Sequence, residues 1–243
     1  MRGFRGTVVP TCLAVLLVIG CGAANKHHKQ IAKESESLRS ELAELYVAKG
    51  AREAALPLLQ KIIAEQPKNV RARVLYGSVL RDAGLFPQAE AQLRAALALD
   101  ERRADAHAAL AILLDLTARH KLALPHHLRA TKLAPGVADY RNNLGFSLLS
   151  AGKPAAAIAP LEAALALDPS VGQAYANLGF AYGYAGRFTD AERAFRAGLG
   201  EVATLKNLAL LHDERGDHDS AAALRERAAA LAPDTSSTPE QTR

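Results

Sequence analysis

The chain has 243 residues, enough for one or two domains, with 49% hydrophobic residues inflated by alanine, 5% aromatic residues, no Trp and one Met. A sandwich or barrel wants more β-branched and aromatic residues, whereas alanine- and leucine-rich sequence with scattered charge suits helices packed closely on helices. The formal charge of +5 comes from interspersed acids and bases, and no Lys/Arg block is long enough to form a nucleic-acid surface.

In chain order, Arg2 and Arg5 form a short positive stretch, followed by an apolar run from Thr7 to Ile19. That run is too short to span a membrane, which needs about 20 apolar residues, and it fits the apolar region of a secretory signal. It ends Val18-Ile19-Gly20-Cys21, which resembles the bacterial lipobox. The resemblance implies a signal peptide over 1–20, cleavage before Cys21 and lipidation of its thiol. Several acyl chains anchor more firmly than one, which binds only marginally. Gly22 and Ala23 follow where inner-membrane lipoproteins often carry Asp, so the resemblance implies an anchor on the periplasmic face of the outer membrane. Residues 21–36 read as the lipidated cysteine and a polar tether. The two cysteines are Cys12 and Cys21, so nothing beyond them can form a disulfide framework or thiolate metal site.

From residue 37 onward the sequence repeats itself. Asn143-Leu144-Gly145-Phe146 recurs 34 residues later as Asn177-Leu178-Gly179-Phe180, and Asn207-Leu208-Ala209-Leu210 echoes it 30 residues after that. Leu161 to Pro169 likewise resembles Leu93 to Asp100. These residues resemble the tetratricopeptide (TPR) pattern: a leucine and a small residue mid-helix A, a glycine at the A–B turn, alanines in helix B, and a closing proline. Small residues let neighbouring helices approach while larger side chains fill the grooves, and the turn glycine accepts a backbone that larger residues resist. The resemblance implies an all-α, right-handed α-solenoid of six helix-turn-helix repeats over 37–235. Their approximate limits are 36–69, 70–103, 104–137, 138–171, 172–201 and 202–235. Ala118 replaces glycine at the third turn. The fifth repeat lacks its proline, so its link to the sixth is expected to be tight. Pro57, Pro125 and Pro160 fall in helix B and are expected near its first turn, where a lost hydrogen bond costs little. Residues 236–243 are polar and are expected to be a disordered tail.

In TPR arrays helices A line the concave face. Placing that register on the chain exposes Val74 and Ser78, then Ile112 and Asp115, then Asn142, Asn143, Phe146 and Leu149. It continues with Asn177, Phe180 and Tyr184, and ends on Lys206, Asn207, Leu210 and Asp213. Asn143, Asn177 and Asn207 form a ladder able to hydrogen-bond the backbone of an extended segment, or to tie adjacent helices together. Phe146 and Phe180, with Ile112, Leu149, Leu210 and Tyr184, form an apolar stripe that suits an amphipathic partner segment, unless the phenylalanines pack between repeats. Lys206 alone stands near a position of the lysine-rich clamp that holds acidic C-termini, which argues against such a ligand.

Of the eight histidines, His126-His127 with His107 or His120 is the best candidate cluster. Adjacent histidines on a helix point about 100° apart, so solvated helix-face histidines are expected and a metal is not. No phosphate loop, nucleophile elbow or paired-acid signature is present, and neither an enzyme, a cofactor nor a small-molecule substrate is expected. Lipobox, tether and six TPRs together resemble the pilotins of type IV pili, the PilF, PilW and Tgl group. That resemblance implies binding of secretin subunits in the groove and their delivery to the outer membrane for assembly into the pilus pore. The alternatives are an adaptor recruiting cell-wall hydrolases or proteases, and a tight-adherence pilus lipoprotein.

Overall fold

A computed structural model describes residue 35 and residues 37–231. The signal segment, Cys21, the tether apart from Ser35, and the 236–243 tail lie outside the described residues. Among the described residues there are twelve helices and no strand: α1 (residues 37–48), α2 (Arg52–Glu65), α3 (Val70–Asp82), α4 (Phe86–Leu99), α5 (Ala104–Leu116), α6 (His120–Leu133), α7 (Ala138–Ser150), α8 (Pro154–Leu167), α9 (Gly172–Tyr184), α10 (Phe188–Leu199), α11 (Glu201–Glu214) and α12 (His218–Leu231). From α2 onward each helix packs on the next. In addition α3, α5, α7, α9 and α11 touch in succession, so the odd-numbered helices form one continuous inner row.

The turn inside each pair follows from one residue. Gly50, Gly84, Ala118, Gly152, Gly186 and Gly216 all have left-handed φ, between 56° and 81°. That conformation lets the next N–H reach back along the chain, as in Leu85 N–H to Leu80 O and Arg187 N–H to Tyr182 O, at 2.9 and 2.8 Å. The turn residue's own N–H meets the carbonyl three before it, as Gly84 does with Arg81 at 2.9 Å. These two bonds are the Schellman closure, which satisfies carbonyls that a helix end otherwise leaves bare.

Packing within a pair depends on small residues in the inner helix. A Cβ built on Gly77, Gly145 or Gly179 would sit 2.7, 2.4 or 2.3 Å from the side chain of Leu93, Leu161 or Phe195. The missing methyl is therefore the space the outer helix's large residue fills. Ala55, Ala89, Ala123, Ala157 and Ala191 on the outer helices are fully buried, where a longer side chain would hold the helices apart.

Two sequence expectations are answered in the outer row, the first revised and the second, the tight fifth-to-sixth link, met. Pro57, Pro125 and Pro160 lie at the sixth or seventh residue of α2, α6 and α8, one turn deeper than expected. Each helix continues through its proline, forgoing one backbone bond. The fifth-to-sixth link is a single residue, Gly200, with φ 76° and ψ 169°, where the other outer-to-inner links from α2 onward take four. That backbone region is open essentially to glycine alone.

Candidate functional site

Helices α5, α7 and α9 place their inward-facing residues around an open pocket of about 460 Å³. Six residues of the expected concave set meet there: Ile112 and Asp115 from α5, Asn142, Asn143 and Phe146 from α7, and Asn177 from α9. Leu116, His120, His127, Ser150, Gln173 and Ala176 complete the lining. Apolar wall and amide groups alternate because a helix turn brings positions three and four apart to one face. Phe146 is 49% exposed, a large apolar ring left open on a groove wall.

The remaining expected residues divide. Tyr184 and Leu210 are exposed further along the inner row, and Lys206 is exposed beside them. Phe180 is half-buried: it stacks on Tyr184 with centroids 6.0 Å apart and meets Phe195 edge-on at 5.2 Å. It therefore serves the core between α9 and α10 as well as the surface. Leu149 is half-buried against the same core cluster. Val74 is 5% exposed and packed among Leu93, Leu110 and Leu113 in the core. The expectation of a surface role for Val74 is corrected, because close approach of α3 and α5 covers it. Asn142 is equally buried and accepts a hydrogen bond from Asn177 Nδ2 at 2.9 Å, so part of the asparagine ladder ties α7 to α9. Asn143, half-buried on the pocket wall, makes no side-chain hydrogen bond to the described residues.

The floor holds what the sequence reading missed. His127 is 1% exposed, not a solvated helix-face histidine. Its Nε2–H donates to Asp115 Oδ2 at 2.8 Å, and His120 Nδ1–H donates to Asp115 Oδ1 at 2.8 Å. Ser147, fully buried on α7, donates to Asp115 Oδ1 at 3.0 Å. Burial pushes the Asp115 carboxyl up, but the bonds from His127, His120 and Ser147 outweigh it and hold it below the ordinary carboxylate value. The adjacent histidine points elsewhere: His126 donates from Nδ1 to His107 Nδ1 at 2.9 Å, while His107 Nε2–H donates to the Glu101 carbonyl at 3.0 Å. Burial, then the neighbouring His107, Arg94 and His127, push His126 below the ordinary histidine range. A sequence signal for His127 existed in the repeat register, which aligns it with Leu59, Leu93, Leu161 and Phe195 at 34-residue steps.

Six stacked helix pairs with left-handed turns and small inner residues define a class, and the comparisons agree. Family models of the tetratricopeptide repeat match residues 46–113, 137–167, 171–199 and 204–238. The chain is an all-α tetratricopeptide-repeat solenoid. Among solved structures it is similar to pilF of Pseudomonas aeruginosa, with 22% identity, TM-score 0.67, and coverage of 84% of this chain and 94% of that one. It is also similar to MamA (22% identity, TM-score 0.56, 76% and 96% covered). A third similar structure is YrrB, a TPR protein with an unusual peptide-binding site (20% identity, TM-score 0.59, 73% and 93% covered). No curated protein matches the sequence. A TPR scaffold presents a groove to protein partners, and that is the coarse function this fold supports.

Proposed function

We propose that this chain is a lipid-anchored pilotin, an assembly factor for the outer-membrane secretin of a type IV pilus. The observation that carries the proposal is the groove with open Phe146 and unengaged Asn143, which suits an exposed amphipathic segment of another protein. Likeness to P. aeruginosa pilF along most of both chains and the lipobox-like Val18-Ile19-Gly20-Cys21 support the finer reading. In this scheme the groove shields a secretin subunit from aggregation, and acyl chains on Cys21 hold the pair at the periplasmic face of the outer membrane while subunits oligomerise. The scaffold contributes binding and localisation, with no chemical step and no cofactor.

Deleting the gene tests this. Secretin multimers should disappear from the outer membrane and monomers accumulate elsewhere. Restoring the chain with both Phe146 and Phe180 replaced by Ala should recover them poorly. Normal multimers in the deletion strain would contradict the proposal.

A further inference from the structure

The array breaks its own packing rule at one place. Positions 59, 93, 127, 161 and 195 are equivalent, and all are buried at 1% exposure or less. Four hold Leu or Phe and fill the space opposite a small inner-helix residue. The fifth is His127, which brings Asp115 and Ser147 with it into a polar floor. Burying such groups in a helical core lowers stability relative to packed leucine, and departures of this kind collect at functional sites. Here the departure lies under the pocket.

The charge at that floor follows from the hydrogen bonds. His127 Nε2–H donates to Asp115, while His127 Nδ1 is buried without a partner among the described residues. The other groups bonded to the Asp115 carboxylate among the described residues are the His120 imidazole and the Ser147 hydroxyl. Ser147 donates as a neutral hydroxyl. No Lys or Arg is among the described residues lining the pocket, and nearby Arg119 is engaged by Glu90 and Thr117. Asp115 accepts three bonds of about four its two oxygens can take. Above it, Ile112, Leu116 and Phe146 form an apolar wall.

From this geometry we propose that the pocket receives one basic side chain, a Lys or Arg, of the bound polypeptide. Its head pairs with Asp115, and its alkyl stem lies along Ile112, Leu116 and Phe146. Long cationic side chains bury their stems on apolar surface in this way, and a cation over the open Phe146 ring gains further attraction. Asp115 is then the residue that selects which segment the groove holds. The inference rests on the reading of this groove as a protein-binding site.

The test selects random displayed peptides on the whole chain in detergent. Synthetic copies are then rebound to wild type, to Asp115→Asn and to Phe146→Ala. Selected peptides should carry a Lys or Arg beside apolar residues. Replacing it by norleucine should weaken binding to wild type about tenfold, the scale of a close charge pair, and change binding to Asp115→Asn little. If Asp115→Asn does not fold by circular dichroism, the norleucine exchange on wild type decides alone. Peptides that lose affinity for Phe146→Ala but show no basic residue, or no effect of norleucine, overturn the proposal and leave the groove reading standing. Peptides indifferent to Phe146→Ala overturn both.

Discussion

At the α5–α6 turn the chain forces an alanine into the backbone that glycine adopts at the five equivalent turns, with φ 56° at Ala118. Left-handed backbone costs a residue with a Cβ about 1–2 kcal/mol, offset in part by the extra freedom glycine has when unfolded, about 0.5–1 kcal/mol. Ala118→Gly should therefore raise stability by about 0.5–1 kcal/mol in urea denaturation. His126 makes the second residue-scale prediction. Its folded pKa is depressed by burial and by His107, Arg94 and His127, so the unfolded chain binds the proton more readily. Stability contributed by the neutral ring is present above the ordinary histidine pKa and declines as pH falls through it. Melting temperature should drop between about pH 7 and pH 5, and His126→Gln should flatten that drop. Asp115 works in the same direction in a lower window: its depressed pKa favours the fold above the ordinary carboxylate value and loses that contribution as the group protonates.

Helices and turns were the legible level. The repeat spacing carries the pairing of α1 through α12, because a turn residue and a small inner residue recur wherever close helix approach requires them. Gly145 and Gly179 were readable as contact points, and the Leu161 and Phe195 side chains fill the space a Cβ would take. Depth was less legible. Val74 lies on the inner row yet is covered, since curvature buries residues between neighbouring inner helices that a single-helix register leaves open. His127 was obscured by its chemistry: polarity argued for solvent, whereas the register aligned it with buried Leu93 and Leu161. The asparagine ladder of Asn143, Asn177 and Asn207 left open a ligand surface or a tie between helices; Asn177 ties α9 to α7 by donating to Asn142, while Asn143 lies on the pocket wall. The missing fifth proline correctly pointed to a tight link, and the geometry adds why it is glycine. Gly200→Ala would place a Cβ in a backbone region at a cost of about 1–3 kcal/mol. Its effect should appear as early unfolding of α11 and α12 in hydrogen exchange, ahead of the central repeats.

Across the whole molecule, charge is placed away from the middle of the inner row. Helix α9 carries no charged residue, and α7 confines Asp139 and Arg141 to its first turn. Ion pairs such as Arg187 with Asp190 and Arg94 with Glu90 lie on the outer helices. The central groove thus offers an apolar wall, amide groups and one embedded carboxylate, a surface that rewards an amphipathic segment and gives little to an acidic one. Under the proposed anchoring through Cys21, the same groove stands at the membrane where pore subunits arrive. A photo-crosslinking residue placed in living cells at Phe146, and separately at Leu128 on the outer helix α6, tests this directly. Crosslinks to a secretin subunit from position 146 and none from 128 are the expected result. Secretin crosslinks from 128 with none from 146 would contradict the assignment of the concave groove as the working surface.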